Sequence, residues 1–342
     1  MADKNYYKWK AYFKSRGLKD DLIIKYLKYI NTLNKNRLPI IFELEHFGKL
    51  VGIKSETLNK MIYAPDKFYR TFTMKKRKHG EIREITVPYP SLKSVQSWIN
   101  DNILSKQKVH YSVHGYVKKK STVTNAKIHL DKKELLKVDL KEFFPSIKIK
   151  DVVKLFQSLG YTKRLSFQLA SLCCHDGVLA QGASTSPALS NIILFKMDVR
   201  LTELSKSANL KYSRYADDIA ISGDYITHKL QDTVFTIIKE SGFEVNLDKT
   251  YLSKENSNKR ILTGLSIKGS ELKIPRKMKR AIIQEMFYIN KYGLKSHMIN
   301  KRIKNYNYFE TIYGKLKYWK YIEPNSEKVD QLIDQLITSR IK

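Results

Sequence analysis

The stretch Lys211 to Gly223, KYSRYADDIAISG, constrains this chain more than any other. Leu210 and Tyr212 on one side, and Ile219 and Ile221 flanking Ala220 on the other, predict two short strands with Asp217 and Asp218 at the tip of the hairpin between them. Adjacent carboxylates repel each other and lose hydration on folding, so such a tip calls for a cation or for solvent. Asp is also a common turn residue, and an ordinary exposed turn satisfies the tetrapeptide as well. The rest of the chain has to decide.

A second acid bears on the choice. Leu135-Leu136-Lys137-Val138-Asp139-Leu140 reads as a short apolar strand, and a carboxylate in a buried strand costs several kcal/mol (roughly) unless it is paired or coordinated. Lys141 to Ser146 breaks the strand, and a helix is expected from about Lys150 to Leu159, ended by Gly160. Asp139 on one strand and Asp217-Asp218 on a hairpin can meet across an antiparallel sheet, giving three carboxylates around two divalent ions. Mg²⁺ suits oxygen ligands combined with substrate phosphates, and the chemistry that follows is nucleotidyl transfer.

Charge names the partner class. The 64 Lys+Arg against 33 Asp+Glu leave +31 on 342 residues. That excess repels itself in a compact chain and is best balanced by a polyanion, with nucleic acid ahead of an anionic membrane surface. No apolar run approaches ~18 residues, and MADKNYYKWK lacks a signal-peptide core, so a soluble, cytoplasmic protein without a membrane partner is expected. Cys173 and Cys174 are neighbours, where a bridge would be strained. They read as reduced thiols in a helix core, because His175 alone cannot complete a zinc site.

Residues 1–65 read as helical, with Leu22, Ile23, Tyr26, Leu27 and Ile30 at helical spacing and a further helix opened by Ser55-Glu56-Thr57-Leu58. From Phe68 a hairpin is predicted around the basic turn Lys75 to Gly80. Arg83 and the turn lysines can reach a phosphate-bearing ligand there, or simply be solvated. Leu92, Val95, Ile99 and Ile103 mark a helix face, and a basic loop with Gly115 closes into a short helix ending in Asn125-Ala126-Lys127-Ile128-His129. Taken alone, His129 is a capped or core histidine.

Residues 163–176 predict an apolar helix. A run of small residues from Gly177 follows, with Ser186 as N-cap and Pro187 at the first position of a helix that buries Leu189, Ile193, Met197, Leu201 and Leu204. A helix over 227–241, a strand over 242–246 and a hairpin arm over 260–268 come next. The order of elements from Leu135 is that of an antiparallel sheet backed by helices, the split βαβ pattern. Beyond Pro275 the chain is helical and basic, with rings among the lysines (Lys315, Lys317, Tyr318, Trp319), a texture shared by nucleic-acid surfaces and helix interfaces.

These blocks, in this order from about Phe68 to Pro324, resemble the reverse transcriptases. Arg83 to Leu104 resembles the first block, Leu135 to Ile147 motif A, the glycine-containing segment with its helix motif B, Tyr215 to Asp218 motif C, Gly242 to Thr250 motif D and Leu262 to Ile267 motif E. Within that family, Asn125 to His129 matches the NAxxH signature of the bacterial retron enzymes, and Leu262-Thr263-Gly264 resembles their VTG with Leu for Val.

The resemblance implies an α+β right-hand polymerase. Residues 1–65 would be an amino-terminal helical region, 66–134 the fingers with part of 150–186, 135–268 the palm with an antiparallel sheet backed by helices, and 269–342 a helical, basic thumb or RNA-binding region. By position, Asp139, Asp217 and the Leu140 carbonyl would hold two Mg²⁺ ions and Asp218 would complete the set. Lys249 would act as general acid. Arg83, Phe144, Gln181 and Gly182 would contact the deoxynucleoside triphosphate, with Phe144 excluding a ribose 2′-OH. Asn125, His129, Thr263, Gly264, Lys315 and Lys317 would meet RNA.

The implied activity is RNA-directed DNA synthesis on a cognate structured noncoding RNA, primed from an internal 2′-OH. Its product would be branched multicopy single-stranded DNA (msDNA), made for anti-phage defence alongside a separate effector protein, with higher-order assembly left open. The alternatives are another defence- or intron-related reverse transcriptase, or a non-catalytic nucleic-acid scaffold. No maturase, endonuclease or integrase region is visible in the sequence.

Overall fold

The computed structural model describes residues 4–75, 82–255, 257 and 260–341. The chain begins with α1 (Lys4–Ser15), α2 (Asp20–Lys35), α3 (Leu44–Val51) and α4 (Ser55–Tyr63), then β1 (Tyr69–Lys75), β2 (Ile82–Pro88), α5 (Pro90–Asn102) and α6 (Thr122–Lys127). Next come β3 (Glu134–Leu140), α7 (Phe143–Ser146), α8 (Ile149–Ser158), α9 (Lys163–Cys173), β4 (Cys174–His175), β5 (Val178–Leu179), α10 (Ser186–Ile193) and α11 (Phe195–Ser207). The remainder is β6 (Lys211–Tyr215), β7 (Asp218–Gly223), α12 (His228–Glu240), β8 (Val245–Lys254), β9 (Ile261–Leu262), β10 (Leu265–Lys268), β11 (Glu271–Lys273), α13 (Arg276–Tyr292), α14 (Leu294–Asn300), α15 (Tyr308–Ile322) and α16 (Glu327–Ile341).

Two compact units share these elements. The first holds Met1–Tyr111, Leu140–Val199 and Ile238–Glu244. Its amino-terminal helices bury Ile23, Leu27 and Ile30 as their spacing predicts, whereas Leu22 stays exposed because it lies off that stripe. β1 and β2 form the predicted antiparallel hairpin, paired from Tyr69 with Pro88 to Lys75 with Ile82. The basic turn after Lys75 and the Arg83 side chain lie outside the described residues.

Three local expectations in this unit need correction. The helix predicted over 163–176 stops at Cys173, since Asp176 and Gly177 adopt left-handed φ of 49° and 71° and turn Cys174-His175 back onto Val178-Leu179. The long helix after Pro187 is two helices parting at Leu194, just beyond Ser190, whose hydroxyl donates to the Pro187 carbonyl in a local bond of the kind that bends helices. Ile193 and Leu204 are therefore only half-buried. The N-cap is Thr185 rather than Ser186, because Ser186 spends its hydroxyl on the Ala180 carbonyl.

The second unit holds Ser112–Asp139, Arg200–Ile237 and Val245–Lys342. Its main sheet has strand order β6-β7-β3-β8, with β3 antiparallel to β7 and β7 to β6. β3 is buried on both faces except at Lys137, which explains its nearly continuous apolar run. β8 extends well past the strand predicted to end at Asn246, as far as Lys254. A second core packs Ala126 of α6 and Leu262 of β9 with Met286, Ile312, Trp319 and Leu336 of the carboxy-terminal helices. Many of the aromatic residues of the basic tail therefore fill helix interfaces. Among the described residues, no helix is long and apolar enough to cross a membrane.

Candidate active site

The carboxylates predicted to meet do so within the second unit. Asp139, near the end of β3, stands directly across from Asp218, the first residue of β7, and Tyr215 pairs with Asp218 to close a two-residue turn of Ala216 and Asp217. Ala216 takes φ 57°, the left-handed first position that a tight hairpin turn demands and that a side chain resists. Such strain persists only where the surroundings impose it.

A buried frame imposes it here. Arg214, with no exposed surface, donates from its guanidinium to the Ala216 carbonyl at 3.1 Å. Its backbone is clasped in turn: the His114 N–H donates to the Arg214 carbonyl at 2.7 Å, and the Arg214 N–H to the Ser112 carbonyl at 3.0 Å. Beneath the same hairpin, His129 bonds Ser222 on β7 through Nδ1 and Ser213 on β6 through Nε2, both at 2.7 Å. Burial, with smaller contributions from His114 and Arg260, pushes the His129 imidazole down to about 3, so it sits neutral between the two hydroxyls.

Two of the three acids have a lysine and one does not. Lys137 Nζ lies 2.8 Å from Asp218 Oδ1, and Lys249 Nζ lies 3.3 Å from Asp139 Oδ2. Asp217 has no ion-pair partner among the described residues. Burial, followed by the charges of Asp218 and Asp139, pushes its carboxyl up to about 6. A carboxylate destabilised by burial and by neighbours of its own sign fits a site completed by cations, and the donor set is all oxygen, as a hard divalent ion requires.

The other predicted residues fall in several places. Leu140 ends β3 beside Asp139 and is buried. Phe144, Gln181 and Gly182 belong to the first unit. Gly182, at φ 129°, comes so close to β2 that a Cβ would stand 2.5 Å from Val87 Cγ1, which brings the glycine-containing segment against the strand that carries Arg83. Gln96 of α5 holds this segment: its Oε1 accepts from the Ser184 N–H, and its Nε2 donates to Tyr69 Oη and the Leu172 carbonyl.

Part of the expected RNA surface is interior. Asn125 and His129 are completely buried and present no atom to a ligand, because α6 turns them into the core and leaves Lys127 outside. Thr263 donates to the Thr122 carbonyl at 3.3 Å, joining the two signature segments, while Gly264 is exposed at φ 84°. Lys315 is engaged by Glu285 at 2.9 Å, and the exposed Lys317 lies over the Tyr313 ring. Cys173 and Cys174 are free, buried thiols, but only Cys173 lies in the helix, and Cys174 opens β4. His175 pairs with the exposed Asp66 and Asp176.

Sequence reasoning missed Lys137, Arg214, Gln96 and Thr250, whose hydroxyl accepts from the Asp139 N–H at 3.4 Å. Only Lys137 carried a signal: two residues before Asp139 on a strand, it shares the acid's face.

Comparison with known proteins gives the family of the chain. The family model for reverse transcriptase (RNA-dependent DNA polymerase) matches residues 74–267. The Retron Ec86 reverse transcriptase of Escherichia coli is 35% identical over 271 residues, covering 78% of this chain and 84% of its own length. The Retron Mx65 reverse transcriptase of Myxococcus xanthus is 34% identical over 219 residues, covering 58% of this chain and 51% of its own length. Among solved structures, telomerase from Candida albicans with a TWJ fragment of telomeric RNA aligns with a TM-score of 0.47 at 12% identity, over 79% of this chain and 63% of that one. With the matched family spanning its acidic hairpin and a retron relative aligned along most of its length, this chain belongs to the reverse transcriptases, RNA-directed DNA polymerases with an α+β right-hand polymerase fold, in their bacterial retron branch.

Proposed function

We propose that this enzyme copies a cognate structured noncoding RNA into msDNA, priming from an internal 2′-OH so that the DNA remains joined to RNA by a 2′-5′ bond, and that it serves anti-phage defence with a separate effector protein. The observation that carries the reading is the facing pair Asp139 and Asp218 with Asp217 at the adjoining tip, in a chain of the retron branch. The +31 charge supports a polyanionic template and product. In this reading residues 66–134, with part of 150–186, serve as fingers, 135–268 as palm and 269–342 as thumb.

Reverse transcriptases work with divalent ions and deoxynucleoside triphosphates. Here Asp139, Asp217 and the Leu140 carbonyl would hold two Mg²⁺ ions, with Asp218 completing the set. Bound there, the ions would supply Lewis acidity to the attacking hydroxyl and to the leaving pyrophosphate. Lys249, beside Asp139, gives its Nζ proton to the departing pyrophosphate. Gln181 and Gly182 align the nucleotide and primer end, Arg83 binds the triphosphate, and Phe144 rejects a ribose 2′-OH. Thr263, Gly264 and Lys317 serve the RNA.

The burial of Asn125 and His129 supports a different use for the NAKIH segment, as the floor that holds the acidic hairpin. Primer extension by Asp217→Asn tests the chemistry: a loss of at least about a hundredfold with folding intact is expected, and unchanged activity would overturn the metal assignment. Nucleic acid co-purifying with the protein tests the substrate. A small species shortened by both RNase and DNase is expected, and a product of DNA alone would overturn the branched hybrid.

A further inference from the structure

Three carboxylates meet two lysines at the acidic hairpin, and the two ion pairs differ. Lys249 is more than half exposed (54%) and reaches Asp139 from the rim. Lys137 is 18% exposed, stands within the sheet, and holds Asp218, itself 21% exposed, at 2.8 Å.

Register explains the geometry. Lys137 and Asp139 share one face of β3 because strand side chains alternate, and Asp139 is opposite Asp218. The residue opposite Lys137 is Ala220, whose methyl group leaves the long side chain free to lean along the strand to Asp218, the diagonal neighbour.

We propose that Lys137 is a positioning residue of the polymerase site, a resident ammonium that holds Asp218 while divalent ions are absent and competes with them for that carboxylate when they bind. The pair gives the metal set an asymmetry: Asp217 has no lysine within ion-pair distance among the described residues, whereas Asp218 already spends Oδ1 on Lys137, so an ion that takes this oxygen has to displace the ammonium. The lysine thereby keeps the strained hairpin from springing open under carboxylate repulsion, at the expense of weaker ion binding.

This inference rests on the metal reading above, and its test separates the two. Mn²⁺ binding is measured by titration calorimetry without nucleotide or nucleic acid, and melting is followed in EDTA, for wild type, Lys137→Met, Lys137→Arg, Asp217→Asn, Asp218→Asn and the Lys137→Met/Asp218→Asn double variant. Lys137→Met should bind Mn²⁺ about fivefold more tightly, the scale of one partly exposed ion pair, and melt about 2 °C lower in EDTA. Lys137→Arg should stay within about twofold of wild type, and the effects of Lys137→Met should shrink to about that level or less in the Asp218→Asn background.

Equal Mn²⁺ affinity in wild type and Lys137→Met would overturn the proposal. So would an undiminished tightening in the Asp218→Asn background, which would make Lys137 a general field rather than a partner of Asp218. Wild type that binds no Mn²⁺ would sink the metal reading and the competition with it. Binding abolished by Asp217→Asn but untouched by Lys137→Met would overturn only the role of Lys137. Should Lys137→Met not fold, Lys137→Gln makes the same comparison.

Discussion

Gly115 lies so close to Ala216 that a methyl group on it would stand 2.4 Å from the Ala216 nitrogen, with Tyr215 backbone atoms at 3.1 and 3.2 Å. Only a residue without Cβ lets the preceding loop pass under the turn that presents Asp217 and Asp218. Gly115→Ala must push that turn aside, because the obstacle is backbone and not a side chain that can swing away. A stability loss of about 1–3 kcal/mol, as for other overpacked sites, should accompany a disproportionate fall in primer extension. Chemical denaturation alongside single-turnover kinetics checks it, and wild-type values for both would show that the turn yields.

His129 makes stability depend on pH. Its folded-state pKa, about 3, lies below the ordinary 6.5, so between those values the unfolded chain binds more protons than the folded one. Stability is thus complete above about 6.5 and falls as pH drops, by about 2 kcal/mol from this group at pH 5. His114, lowered to about 4 mainly by burial and also by Lys120, adds to the same slope. Urea unfolding at pH 7 and 5 should show this decline, with a shallower one in His129→Leu. Parallel slopes in the two proteins would show that His129 does not titrate on unfolding.

Gln96 supports the glycine-containing segment from the α5 side through its bonds to Ser184, Tyr69 and Leu172. Gln96→Leu keeps the volume and strands those buried partners, at a cost of about 1–3 kcal/mol. If Gln181 and Gly182 align the nucleotide, KM for the deoxynucleoside triphosphate should rise more than kcat falls. A change confined to stability would assign Gln96 to the scaffold alone.

Phe144 follows Phe143 with ring centroids 5.1 Å apart and is half-buried. As the proposed steric gate, its truncation in Phe144→Ala should reduce discrimination against ribonucleotides by about tenfold or more while sparing deoxynucleotide incorporation. Competing incorporation of matched deoxy- and ribonucleotides measures the ratio, and an unchanged ratio would make Phe144 a packing residue.

Much of the fold was legible because its signals are local. The paired strands around Asp217-Asp218, the buried acid strand ending at Leu140, and the amphipathic spacing of Ile23, Leu27 and Ile30 are all written within a few residues. Where local signals misled, a neighbour took the group concerned: Ser186 looked like a cap until Ala180 claimed its hydroxyl, and the 163–176 helix ended where Asp176 and Gly177 accepted left-handed geometry.

The sequence by itself determined which carboxylates need a partner, since acids set in apolar strands are too costly to bury without cations to meet them. Tertiary structure decided what each one faces. Strand register sets Asp139 opposite Asp218 and lets Lys137 reach that acid past Ala220, while Asp217 has no lysine within ion-pair distance among the described residues. It also turned His129 from an expected RNA contact into a neutral tie between Ser213 and Ser222. Those partners are 84 and 93 residues away in the chain, and only packing brings such distant groups within hydrogen-bond reach.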